Sequence, residues 1–291
     1  MELIIKPEKN IEEYINMGIN TFLLPLERYS VEYSKYFSLE EIRNIKEKYG
    51  DIDIFVSLNK NIMNEELNDL KDILKELDNL SIKGIFFYDS AIIKLKKDLN
   101  LNLDLVWSQT HMVTNYKTCD YYNSMGVKYA LLSKEITKEE IIEIIDKSKI
   151  SPIVELISKP SIGFSKRKLV TNYFENYNKE KEQLIEVNEK ISDTDIIVSE
   201  NSDGVVFIKD NILNGCLILD DLLNTNLEYV LLKEDFIDED LFIKVVKEIK
   251  YYINNYSNMN ENDKEKFLER IKKLIGENSG FFFQKTIYKV K

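Results

Sequence analysis

Alanine occurs twice in this chain, histidine and tryptophan once each, and cysteine only at Cys119 and Cys216. So few cysteines rule out a dense disulfide framework as the source of stability and fit a reducing compartment. A single histidine, His111, with no Cys, His or carboxylate cluster at ligand spacing makes a poor metal site. It would also have to serve as the base for any serine nucleophile. No uninterrupted apolar run approaches the ~20 residues of a membrane span, so no membrane association is expected. The opening segment Met1–Pro7 has no basic n-region followed by a long apolar stretch. No signal peptide is therefore expected, and the expected location is cytoplasmic. No Gly-x-Gly-x-x-Gly follows the first predicted strand, which weakens a dinucleotide-binding sheet.

What is present suits a folded domain. The 291 residues are 44% hydrophobic and 31% charged, enough for a sizeable core. Length allows one large α/β barrel or two smaller domains. The net charge of -11 argues against a surface that is basic all over but leaves room for a local basic patch. Lysine outnumbers arginine 36 to 4 and asparagine and isoleucine are abundant, a compositional drift typical of an AT-rich bacterial genome. Against that drift a lysine is weak evidence of function and a retained arginine is stronger.

Short apolar runs alternate with amphipathic stretches along the first half of the chain. Strands are predicted at 3–5, 20–26, 53–58, 84–88, 103–108, 128–133 and 153–157. Between them helices are predicted at 11–17, 38–49, 64–77, 91–98, 115–125 and 138–147. Ser38 as N-cap with Glu41 three residues on forms a capping box. Repeated strand–helix units with short connections imply a parallel sheet with right-handed crossovers, and a TIM-like (β/α) barrel is the expected architecture. The period breaks over Ser158–Tyr177. Runs at 184–187, 195–199 and 205–208, with Asn201-Ser202-Asp203-Gly204 as a turn, then read as an antiparallel β-excursion before the last barrel unit. A helix over 211–224, a strand over 228–233, helices over 239–254 and 264–275, and a β-like tail over 281–290 complete the pattern. We expect one domain over 1–291, with a β-rich insertion at about 178–210 and a C-terminal helix plus tail at about 258–291.

From the fifth strand onward the chain carries Ser108-Gln109-Thr110-His111-Met112-Val113-Thr114-Asn115 and then Gly126-Val127. In these it resembles the collagenase-like peptidase family U32: the first run is similar to that family's Ser-Thr-Gln segment, and the pair follows at the family's spacing. Leu132-Ser133-Lys134-Glu135-Ile136 resembles its Leu-x-x-Glu-Leu segment, followed by Glu139-Glu140-Ile141. Glu155 opens a stretch that ends in Ser165-Lys166-Arg167-Lys168-Leu169, resembling a signature that closes around Ser-Gly-Arg-Cys. Glu200-Asn201-Ser202-Asp203-Gly204 and the end Lys285–Lys291 resemble further family segments. The resemblance implies tRNA wobble-uridine hydroxylation (5-hydroxyuridine) or related hydroxylation chemistry, often by paired related subunits. The alternatives are a peptidase of unusual mechanism and a non-catalytic binding protein on the same fold. Many family members carry cysteines that look like iron–sulfur ligands. Here Lys168 stands in place of one, the first has no counterpart, and the family's signature histidine is missing. No cofactor is therefore expected in this chain alone. An iron–sulfur cluster would have to come from a cysteine-bearing paralogue, with tRNA as a further expected partner.

Candidate site residues follow from both lines. Glu135 falls just after predicted strand six and Glu155 early within predicted strand seven; barrels gather functional groups at C-terminal strand ends, and two carboxylates there could share a proton, bind a metal or hold a basic ligand. The plainer readings are a solvated loop glutamate for Glu135 and an ion pair with Arg167 or a lysine for Glu155. Lys166, Arg167 and Lys168 are candidates for anion or RNA binding, because a guanidinium suits phosphate or carboxylate. Thr110, Asn115, Ser165, Tyr173 and Glu200 are further barrel-mouth candidates. Tyr173, with Phe174 and Tyr177, is a possible base-stacking surface or simply a cover for the barrel.

Overall fold

In a computed structural model the chain forms a closed barrel. The structure describes residues 1–109, 111–180, 182, 184–189 and 194–284; Thr110 and the tail from 285 on lie outside the described residues. The barrel strands are β1 (Glu2–Lys6), β2 (Thr21–Pro25), β3 (Asp53–Leu58), β4 (Gly84–Phe87), β5 (Asp104–Trp107), β6 (Tyr129–Leu131) and β7 (Ser151–Ser158). The eighth is β13 (Tyr229–Lys233), which pairs in parallel with both β7 and β1 and closes the ring. The TIM-like barrel expected from the alternation is the fold observed.

The helices form where the sequence supplies an apolar face. They are α1 (Ile11–Asn16), α2 (Leu39–Lys48), α3 (Leu67–Asn79), α4 (Ala91–Leu99), α5 (Tyr116–Ser124) and α6 (Lys138–Lys147). Three of those named here, α2, α5 and α6, start on a capping side chain. Ser38 and Thr137 close full capping boxes at α2 and α6, satisfying amides that a helix start leaves free. On α3, Leu70, Leu74 and Leu77 lie on one buried face.

Strand residues alternate between two cores, as a pleated strand requires. Leu3, Ile5, Val154, Leu156, Val230 and Leu232 face the helices. Ile4, Phe55, Phe86, Leu131, Ile153, Tyr229 and Leu231 fill the barrel interior. There Phe55 meets Phe86, Tyr129 and Tyr229 edge-on, the arrangement aromatic rings favour.

The excursion between β7 and β13 is a four-stranded antiparallel sheet in the order β8, β11, β10, β9. Its strands are β8 (Ser161–Ser165), β9 (Leu184–Glu189), β10 (Thr194–Glu200) and β11 (Val205–Lys209). The sheet therefore draws its first strand from Ser161–Ser165, ahead of the 178–210 segment that the pattern marks. The helix α7 (Leu169–Asn176) lies in the same aperiodic stretch and packs Val170 and Phe174 on Val198 and Val205. The helix expected over 211–224 is instead a two-residue strand β12 (Leu213–Asn214), a 3₁₀ turn and the short α8 (Leu219–Leu223). Asn214 explains the break: its side chain accepts from the Cys216 amide and donates to Gly276 O at 2.7 Å. The long helix α9 (Glu239–Asn255) completes the last barrel unit, and α10 (Glu261–Ile275) packs against it. The following residues strap back over the barrel: Asn214 N donates to Asn278 O and Lys138 N to Phe282 O. Residues 281–284 form a turn, and the rest of the expected β-like tail lies outside the described residues.

Candidate functional site at the barrel mouth

The period-2 alternation that fills the barrel also aims three charged side chains into its mouth. Lys6 follows inward Ile4 on β1, Glu155 follows inward Ile153 on β7, and Lys233 follows inward Leu231 on β13. Lys134 arrives from the loop after β6. Glu155 is the hub: its Oε1 lies 3.3 Å from Lys134 Nζ and its Oε2 lies 3.5 Å from Lys233 Nζ. Ser158 donates its hydroxyl to the same Oε1. Burial on its own would raise the Glu155 pKa. Lys134, Lys233 and Ser158 together outweigh burial and hold the carboxyl down at about 2. For Lys233, burial would favour the neutral amine, but Glu155 keeps it charged and shifts its pKa upward. Of the two kinds of partner expected for Glu155, Arg167 or a lysine, lysines are found; Arg167 lies exposed while Glu155 is sealed beneath the mouth.

A second buried pair stands beside the first. Lys6 Nζ lies 2.5 Å from Asp235 Oδ1, which also accepts from the Ser34 amide at 2.8 Å and hydroxyl at 2.7 Å. The Tyr33 ring lies between the lysines, 5.7 Å from Lys6 Nζ and 5.6 Å from Lys233 Nζ, within cation–π range. Its hydroxyl donates to Ser57 Oγ.

Above this floor a cleft of about 760 Å³ opens between the barrel loops and the excursion. Glu32, Asn59, Lys60, Ser108, Lys134 and Glu135 line the barrel side. Pro160, Ile162, Phe164, Lys166 and Asp203 line the side of the excursion, and Phe281 of the C-terminal strap closes one end. The cleft is as large as sites that take small ligands.

The sequence candidates fall in different places. Glu135 lies on the outer rim, half exposed, with its Oε1 3.9 Å from His111 Nδ1. Lys166 lines the cleft, whereas Arg167 and Lys168 point to solvent beside it. Ser165 accepts from the Arg167 amide and shapes that bend. Tyr173 is exposed and packs on Tyr177, ring centroids 4.9 Å apart. Glu200 is buried and accepts from the Val170 and Thr171 amides at the start of α7, and from the Thr171 hydroxyl. It clasps a helix N-terminus, where a carboxylate is favoured. Asn115 likewise caps α5 through the Thr118 amide. Ser108 donates its hydroxyl to Phe87 O at 2.9 Å, which leaves it poorly disposed as a nucleophile.

An iron–sulfur cluster does not fit this chain's donor set. Cys119 and Cys216 are both buried, on α5 and in the turn before α8, and neither borders the cleft. Burial, helped by Asp120, pushes the Cys119 thiol up to about 12, and burial pushes Cys216 up as well. Cluster ligation needs several thiolates. Among the described residues no group of three or more His, Cys, Asp or Glu could hold a metal ion. No helix among them is long and apolar enough to cross a membrane.

Comparison with known proteins places the chain. It is 26% identical to the tRNA hydroxylation protein P2 of Bacillus subtilis (strain 168), covering 99% of both chains. It is 24% identical to the tRNA hydroxylation protein P1 of the same organism over 58% of this chain, spanning 42% of that protein. A solved protein from Aquifex aeolicus VF5 superposes with a TM-score of 0.47 at 10% identity, covering 95% of this chain and 93% of the other. Residues 8–290 match the family described as Peptidase family U32, and the chain belongs to that family.

Proposed function

We propose that this protein is a subunit of tRNA wobble-uridine hydroxylation, supporting 5-hydroxyuridine formation with a cysteine-bearing paralogue. The observation that carries the reading is the end-to-end match to a protein named for tRNA hydroxylation. That two related proteins of one organism both bear that name supports a working pair. In this reading the chain works in the cytoplasm, and any iron–sulfur cluster is held by the paralogue. RNA meets the excursion side of the cleft. There Lys166, Arg167 and Lys168 offer cations to phosphate, and the exposed Tyr173 and Tyr177 offer stacking faces. Glu135 and Glu155 stay as candidates for the reacting end, Glu155 acting through the lysines that it holds. A stand-alone peptidase has less support: the only histidine lies on the rim, and Ser108 is tied to backbone.

The deciding experiment is deletion of the gene, followed by mass spectrometry of wobble uridines. Loss of 5-hydroxyuridine, restored by the wild-type gene and poorly by Arg167→Ala, is the expected result. An unchanged uridine profile in a strain with no second supplier of the modification rejects the proposal.

A further inference from the structure

Two lysines at the floor of the cleft share a single carboxylate within ion-pair distance. Lys134 and Lys233 have side chains only 18% and 13% exposed. Among the described residues, Glu155 is the one carboxylate within ion-pair distance of either. An ammonium offers three donors, so two of them facing one carboxylate leave most of those donors unused. The two nitrogens share a small cavity with Glu32, Tyr33, Asn59 and Ser108, floored by the apolar top of the barrel interior. The other polar groups there are already engaged. Asn59 exchanges hydrogen bonds with the Val31 backbone, Ser108 donates to Phe87 O, and Tyr33 donates to Ser57. Asp235 Oδ1 is taken by Lys6 and Ser34, and its buried Oδ2 has no hydrogen-bond partner among the described residues. Glu32 borders the same cavity without reaching either lysine within 4 Å, and Glu135 lies farther out on the rim. Glu32 also adopts a positive φ of 71°, a conformation rare for a residue with a side chain.

We infer that Lys134 and Lys233 form a seat for one small oxyanion, a phosphate or carboxylate head group that enters through the cleft and bridges the two ammoniums. Glu155 is the positioning residue: it pairs with both lysines, through Oε1 with Lys134 and through Oε2 with Lys233. The cavity is about 30 Å³, so only a head group reaches the floor and the body of the ligand stays in the larger cleft. The seat is separate from the RNA-facing rim at Lys166 and Arg167 and does not rest on the RNA reading.

The test titrates the purified full chain with inorganic phosphate and, separately, with acetate, against chloride at matched ionic strength, followed by calorimetry and Tm. One of the two anions is expected to bind at a single site and raise Tm, which names the head group. Lys134→Met and Lys233→Met should each weaken binding by about tenfold or more, the size of a lost charge-assisted contact. Lys97→Ala, on the exposed side of α4 and outside the cleft, should leave it unchanged. Should a methionine variant fail to fold, reductive methylation of the wild type serves: the bound anion should protect Lys134 and Lys233 and leave Lys97 reactive. Binding of neither anion overturns the inference, as does binding that survives both methionine variants or that is lost with Lys97→Ala.

Discussion

Lys6 Nζ and Asp235 Oδ1 lie 2.5 Å apart across 229 residues of sequence, in a pair sealed from solvent. The contact ties the end of the first barrel strand to the loop after the last one, at the seam where the ring closes. Removing one partner of such a pair leaves an uncompensated buried charge. Lys6→Met is therefore expected to cost about 3–5 kcal/mol. The double variant Lys6→Met with Asp235→Leu should recover much of that loss, since well-packed apolar replacements of both partners are often tolerated. Denaturant unfolding of the two variants and the wild type checks both; a double variant no more stable than the single would show that Asp235 is needed for Ser34 instead.

Glu155 gives a pH dependence with a definite sign. Its carboxyl is lowered to about 2 in the folded protein, because Lys134, Lys233 and Ser158 overcome the effect of burial. A depressed acid contributes stability above its unfolded pKa and loses it as the pH falls toward the folded value. Glu155→Gln should therefore cost roughly 3 kcal/mol at pH 7. The gap to wild type should narrow between about pH 4.5 and pH 2. Urea midpoints at neutral pH and near pH 3 measure this; a gap that stays constant would mean the loss is one of packing.

The barrel was legible because its signals are local and repeated. Ser38 and Glu41 announce a helix start, and that capping box is present. The glutamate at strand seven was legible too, as a residue paired with Arg167 or a lysine, but which lysines was not. Lys6 and Lys233 sit two residues beyond inward Ile4 and Leu231, so strand alternation places them at the mouth. In a chain with 36 lysines that positional signal is easily passed over as drift. Arg167 drew attention for its rarity, yet it lies in solvent. The Ser161–Ser165 strand was illegible for a different reason. Its residues are half-buried with no strict alternation, and its pairing with Val205–Ile208 is long-range and irregular, with a register shift between Phe207 and Ile208. Long-range pairing of that kind leaves no period in the sequence.

Glu200 illustrates a candidate whose observed contacts are structural. With its carboxylate on the Val170 and Thr171 amides, it anchors α7 to the sheet. Glu200→Ala is expected to cost about 1–2 kcal/mol, the range for a lost helix N-terminal cap. The loss should be confined to α7. Hydrogen exchange should speed up at Val170 and Thr171 while the amides of β1 to β6 keep their protection. Uniform acceleration across the barrel would mean that the excursion and barrel unfold as one unit.

Gly204 tests the same junction from the other side. It follows the Asn201-Ser202-Asp203 turn with φ +146°, a backbone region that residues with side chains rarely adopt. Its amide donates to Asn201 Oδ1, and its carbonyl accepts from the Asn201 amide at 2.9 Å. A Cβ there would stand 2.2 Å from Ser165 O, on the strand paired with β11, and neither backbone can yield cheaply. Gly204→Ala is thus expected to cost about 2 kcal/mol or more through backbone strain alone. It should also part β8 from β11, which carry Phe164 and Lys209 at the cleft wall, and disturb the adjoining Lys166. The turn's side-chain hydrogen bond to the barrel side, Asn201 Nδ2 to the Tyr36 hydroxyl, reaches a loop and not the core, so far-ultraviolet signal and barrel melting should be largely kept. Limited proteolysis should then cut the variant within 158–210 at protease concentrations that spare the wild type. Equal resistance of the two proteins would show that the turn can rearrange to accept a side chain, and that Gly204 is not required for the excursion to hold its face of the cleft.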